Sequence, residues 1–219
     1  IVGAILTQST AWVNVEQAIA NLKRAGVLHP GGLHALERPQ LAALIRPSGY
    51  FNQKAKKLAA FVQRLVTAYG GNLARLFALD LPALRAELLA IYGIGPETAD
   101  SIILYAAAKP VFVVDAYTVR IFGRLGFAAA HSGYAGLQRM FMDHLPHDVQ
   151  LFNEYHGLLV RHGKYVCCKQ PRCADCVLDD RCAYTAGEGE RDSRPDRAGR
   201  GAGPACPKKA ATSTLAIGA

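Results

Sequence analysis

Gly93-Ile94-Gly95-Pro96-Glu97-Thr98-Ala99-Asp100, GIGPETAD, lies between two apolar runs of helical period. Upstream, Leu84 to Tyr92 reads as a helix ending into Gly93, the residue best suited to a left-handed C-cap. Downstream, Gly95 removes a side chain where the next helix begins, and Pro96 suits a first turn that has no use for its missing N–H. The stretch predicts a helix-hairpin-helix; read minimally, it is an ordinary turn between two helices. It has no lysine or serine to cradle a nucleotide phosphate, and the glycine pattern does not repeat. Amides exposed at a helix N-terminus behind a glycine turn suit one phosphate. A grip on phosphate and sugar rather than base edges holds duplex DNA without choosing sequence.

Working outward, apolar residues recur at helical spacing: Val13, Ala18, Ile19 and Leu22; Leu58, Phe61, Val62 and Leu65; Leu84, Leu88 and Leu89. The chain is expected to be all-α, with about ten helices and no internal repeat. Val111-Phe112-Val113-Val114, between Pro110 and Asp115, has no partner run and reads as a buried extended connector. With 219 residues and 51% hydrophobic content the chain has enough apolar material for one large or two modest cores. The formal net charge of +8 favours a polyanionic partner, although a basic protein without one has the same composition. No run approaches the roughly 18 apolar residues of a membrane helix and none resembles a secretory signal, so the expected setting is the cytoplasm with no membrane partner. Because the chain begins at Ile1, its native N-terminus is expected to be missing. From Thr185 the composition turns to Gly, Ala, Pro and charge, which predicts a disordered tail over 185–219.

Two further features carry chemistry. Asp115 closes the apolar connector just before the helical run Tyr117 to Leu125. It suits an N-cap, and a carboxylate held ionised by helix amides also suits stabilising an oxocarbenium-like sugar and orienting water. Of the six cysteines, five fall between Cys167 and Cys182, and Cys206 stands apart in the tail. Such clustering in a reducing compartment predicts a metal rather than a disulfide framework. The x2 then x5 spacing of Cys173, Cys176 and Cys182 is a poor match to the two close cysteine pairs usual in structural zinc, which remains the alternative to a cluster.

These motifs, with Leu6-Thr7-Gln8-Ser9-Thr10, Gly49-Tyr50-Phe51-Asn52-Gln53-Lys54-Ala55, Val114-Asp115 and His162-Gly163-Lys164-Tyr165, resemble the endonuclease III superfamily of DNA glycosylases from Leu6 to Tyr184. The resemblance implies two helical domains with a DNA-binding cleft between them: a barrel over 1–109 holding the hairpin, and a domain over 110–184 holding a [4Fe–4S] loop, to which relatives add an N-terminal helix that would precede Ile1 and is either absent or lost with the native N-terminus. It implies an enzyme of base excision repair that flips a damaged base from double-stranded DNA and cuts its glycosidic bond, expected as a nucleoid-associated monomer. Asp115 would assist the attacking water. Bifunctional members carry a lysine in the second hairpin helix where this chain has Glu97, which cannot form an imine, so a monofunctional enzyme is implied. Lys54, Lys56, Lys57 and Lys109 remain as stray candidate nucleophiles. Gly93 and Gly95 would hold phosphate, Gln8 would approach the gap left by the flipped nucleotide, and Tyr50 would be a wedge or pack in its loop. Lys164 and Arg172 would meet phosphates beside the cluster. Trp12 would either sit in a core or line the base pocket, where a cationic base would gain cation–π energy. The ligands would be Cys173, Cys176 and Cys182 with Cys167 or Cys168 as the first, Cys167 being preferred because it follows the Tyr165-Val166 pair. The runs Ile45–Lys56 and Ile94–Ala106 look most like the 3-methyladenine glycosylase branch, which implies alkylated purines as substrates. Alternatives are an endonuclease III-like glycosylase and lyase for oxidised pyrimidines, and a non-catalytic DNA-binding module.

Overall fold

A computed structural model of the chain describes residues 1–187 and Cys206; most of the expected tail, 188–205 and 207–219, lies outside the described residues. Those described are helical and contain no β-strand. The chain divides into two compact units, Ile1–Val113 and a second that starts at Val114. The division falls inside the apolar connector, a few residues past the expected 109/110 boundary. Val111, Phe112, Val113 and Val114 are all buried, and they run extended without a strand partner, as the sequence predicts.

The first unit holds α1 (Val2–Leu6), α2 (Trp12–Arg24), α3 (Pro30–Ala35), α4 (Arg38–Leu44), α5 (Phe51–Tyr69), α6 (Leu73–Phe77), α7 (Leu81–Leu89) and α8 (Pro96–Tyr105), with a 3-10 turn at Arg46–Ser48. Its centre is α5, whose stripe Leu58, Phe61, Val62 and Leu65 is buried at the spacing that places side chains on one helical face. Helices α3, α4 and α6 pack on it, and α1 touches both α5 and α8. On α2 the buried stripe is Val15, Ala18 and Leu22. Val13, assigned to the apolar set by spacing, stands 55% exposed because it lies two residues from Val15 and so points across the helix.

The second unit holds α9 (Ala116–Leu125), α10 (Gly133–His144) and α11 (Val149–Tyr165), with 3-10 turns at Ala128–His131, Cys173–Asp175 and Asp179–Arg181. Helices α9 and α11 lie against each other, and the cause is visible at Gly163: a Cβ there would stand 2.6 Å from Tyr117 Cδ1. The glycine lets the Tyr117 ring rest directly on the backbone of α11. Phe122 and Phe141 close the other side of α9, ring centroids 4.7 Å apart in an edge-on arrangement.

Candidate functional site

The hairpin is built from α7 and α8. Asp80 caps α7 by accepting from the Ala83 amide at 2.8 Å, and the helix stops at Leu89 rather than Tyr92. Ile91, Tyr92, Gly93 and Ile94 form the turn, with Gly93 at φ +79°, a conformation that favours glycine. The left-handed residue therefore sits in the turn itself and not directly at the helix end. A Cβ at Gly93 would also fall 2.3 Å from Lys57 Cγ. Gly95 differs: it is the N-cap of α8, and an added Cβ would meet nothing within 4 Å. The N-cap glycine gives α8 no side-chain cap, and Glu97 is exposed in the first turn. The two hairpin helices are locked by Arg85 on Asp100, with bonds of 2.7 and 3.2 Å to a fully buried carboxylate. Charge-assisted bonds in this paired geometry fix orientation as well as adding energy.

Also in the first unit, Gln8, Ser9, Tyr50, Gln53, Lys54 and Lys57 line an open cavity of about 240 Å³. Ser9 and Tyr50 have φ of 54° and 45°, and strain of this kind collects at functional sites. Tyr50 does not pack in its loop; it is 74% exposed. Lys54 is buried, donates to the Ser48 carbonyl at 2.6 Å, and burial, then neighbouring Lys57, push its ammonium below the ordinary lysine value. Trp12 lies outside this cavity. Neither core nor pocket lining, its ring rests near Gly3 half exposed, and Nε1 donates to Glu16.

In the second unit Asp115 is the N-cap of α9. Oδ1 accepts from the Thr118 amide at 2.7 Å and from the Thr118 hydroxyl at 2.8 Å, while His156 Nε2 on α11 lies 3.6 Å from Oδ2. Burial pushes the carboxyl up; the His156 imidazole, followed by the two Thr118 donors, outweighs it and holds the carboxyl below its ordinary value. His156 gave no signal in the sequence, because its place beside Asp115 depends on how α9 and α11 pack.

Farther along the same two helices, Cys167, Cys173, Cys176 and Cys182 line one cavity as free thiols. Arg124 Nη1 lies 3.3 Å from Cys167 Sγ, and the Leu178 amide donates to Cys176 Sγ at 3.4 Å. Arg120 donates to the Cys167 and Gly163 carbonyls, and Arg124 to those of Cys168 and Lys169. These two arginines, one turn apart on α9, were not singled out in the sequence. Burial and then the neighbouring thiols of Cys176 and Cys182 push the Cys173 thiol up. Cys168 is not in this set: it forms a disulfide with Cys206, 38 residues away. The expectation that the cysteines serve a metal and not disulfides is thereby corrected for this pair, whose sequence separation hid it. Among the described residues no three His, Cys, Asp or Glu converge as the ligands of one ion. Lys164 lies over the Tyr165 ring at 5.2 Å, and Arg172 is paired with Asp175.

Residues 2–147 match the family model described as HhH-GPD superfamily base excision DNA repair protein. The protein named "Putative DNA repair glycosylase" of Methanocaldococcus jannaschii is 44% identical over 184 residues, 83% of each chain. Endonuclease III of Thermotoga maritima is 29% identical over 200 residues, covering 90% of this chain and 88% of that one. Among solved structures, the H. pylori 3-methyladenine DNA glycosylase, bound to 1,N6-ethenoadenine, aligns with a TM-score of 0.67 at 30% identity, over 74% of this chain and 82% of that one. An endonuclease III in non-covalent complex with DNA aligns at 0.73 and 22% identity, over 85% and 82%, a likeness of fold. The chain therefore belongs to the HhH-GPD superfamily of base excision DNA repair proteins.

Proposed function

We propose that this repair protein is a monofunctional DNA glycosylase that removes alkylated purines from double-stranded DNA. The observation that carries the monofunctional reading is a pairing: Asp115 is partly buried with its carboxyl held below the ordinary value, while α8 contains no lysine and presents Glu97 in its first turn. The water oxygen forms its bond to C1′ as the C1′–N bond breaks, the bond's electron pair leaves with the base, and Asp115 accepts the water's proton. A base alkylated on a ring nitrogen carries a positive charge and departs neutral, so the reaction proceeds without an amine nucleophile. As the C1′–N bond breaks, Asp115 offers its negative charge to the developing oxocarbenium-like sugar.

Gly93 and Gly95, with the uncapped amides of α8, would hold a backbone phosphate, and Tyr50 and Gln8 would meet the distorted strand. The chemistry of the donor set fits a [4Fe–4S] cluster: four free thiols around one cavity, with N–H donors aimed at two of the sulfurs. Cys167, Cys173, Cys176 and Cys182 would hold it. When bound, such a group orders its loop and is capable of one-electron redox chemistry. Lys164 and Arg172 would then lie near phosphate on the cluster loop, Arg172 after exchanging its Asp175 partner. The protein would act as a monomer on the nucleoid; the net charge of +8 supports a polyanionic partner such as DNA.

Support for alkylated purines comes from the likeness to the H. pylori 3-methyladenine enzyme. The second reading, oxidised pyrimidines with lyase activity, is favoured by the Thermotoga maritima relative. Base release from duplexes carrying 3-methyladenine, 7-methylguanine or thymine glycol separates the substrates. Borohydride trapping on an abasic duplex separates the mechanisms: strong covalent capture of DNA defeats the monofunctional reading.

A further inference from the structure

The Gln8 amide bridges three elements of the first unit. Nε2 donates to Thr98 Oγ1 on α8 at 2.9 Å and to the Gly93 carbonyl in the hairpin turn at 3.3 Å, and Oε1 accepts from Lys57 Nζ on α5. An ammonium has donors only, so the carbonyl end of the amide has to face Lys57 and the NH2 end has to face the hairpin. Without that cation only the longer 3.3 Å bond to the Gly93 carbonyl would still select this direction, since the Thr98 hydroxyl, which donates and accepts, satisfies either end. The Lys57 stem has a second task. Its Cγ, Cδ and Cε fill the space a Cβ at Gly93 would need, at 2.3, 2.7 and 2.9 Å, so the left-handed turn rests on these methylenes. Lys54, the other ammonium lining the cavity, is already committed to the Ser48 carbonyl and does not substitute.

We propose that Lys57 is a positioning residue for lesion recognition: its ammonium, together with the Gly93 carbonyl, holds the direction of the Gln8 amide, and its stem braces the Gly93 turn. This rests on the reading of Gln8 and the hairpin as DNA contacts. Two groups that meet DNA at different points, the turn that grips phosphate and the amide beside the distorted strand, are joined before DNA arrives. The ordering cost of binding is reduced accordingly.

The test uses Lys57→Met, which keeps most of the stem, Lys57→Arg, which restores a cation, Gln8→Ala, and the double variant K57M/Q8A. In the free protein, amide hydrogen exchange over 93–97 should quicken about tenfold in K57M and return toward the parent in K57R. On a duplex with an abasic-site analogue, K57M and Q8A should each weaken binding about tenfold, and the double variant should be no weaker than the worse single one. The dependence of affinity on salt should keep the parent's slope. Unchanged exchange in K57M overturns the proposal, as do additive losses in the double variant. So does a salt slope reduced by about 0.9, which would put Lys57 on a phosphate directly. Should the parent bind no duplex at all, the DNA reading falls while the exchange measurement still decides whether Lys57 positions the turn.

Discussion

Asp115 shows how one residue combines a bland role with a demanding one. Its Oδ1 caps α9 through Thr118, which any N-cap aspartate does, and these bonds, after the larger effect of His156, hold the carboxyl below its ordinary value against the cost of partial burial. Replacing it by Asn preserves the cap and removes the charge. We expect D115N to lower base release at least about 1,000-fold while duplex affinity changes less than about threefold, measured by single-turnover release and by binding to the same duplex. The sign of the pH effect follows from the direction of the shift. A carboxyl depressed in the folded state stabilises the fold above its unfolded value, and that stability is lost as pH falls through the lower folded value. An acid titration followed by the Asp115 carboxyl carbon resonance should therefore have its midpoint below the ordinary 3.8, and His156→Phe should move it upward.

At the scale of elements, the pair α9 and α11 organises the second unit. Asp115 and His156 meet toward one end of it, and Arg120 reaches the carbonyls of Gly163 and Cys167 toward the other. The contact between the helices is close because Gly163 has no side chain beneath Tyr117. Gly163→Ala, ordinarily favourable within a helix, should here destabilise by about 1–3 kcal/mol, since the obstructing atoms include the Tyr117 Cβ and cannot swing aside. Denaturant unfolding reads this directly. Tyr117→Ala in the same background should recover part of the loss, as expected for residues in contact.

At the scale of the whole molecule, the free thiols distinguish two candidate first ligands. The purified protein should contain about four iron atoms per chain. Cys182→Ser should lower iron content and visible absorption sharply, whereas Cys168→Ser, which removes only the bond to Cys206, should retain the full iron complement. Loss of iron in the Cys168 variant would reverse the assignment of Cys167. The excess of basic residues should also make duplex affinity fall at least about tenfold between roughly 50 and 200 mM salt, measured by anisotropy.

Helical period, the glycine turn before Pro96 and the spacing of Cys173, Cys176 and Cys182 were legible in the chain itself, because each depends on neighbours a few residues apart: backbone freedom, ring closure at proline, ligand reach. They determined an all-helical protein, the place of its hairpin and the absence of an amine from α8. Packing decided the rest. His156 beside Asp115, Lys57 on Gln8, Arg85 on Asp100, Arg124 at the cysteine loop and Cys206 on Cys168 join residues far apart in sequence, and a hydrogen bond or disulfide forms only where the fold brings donor to acceptor or sulfur to sulfur. Only the tertiary structure could supply those approaches, since no local pattern encodes the distance between two helices.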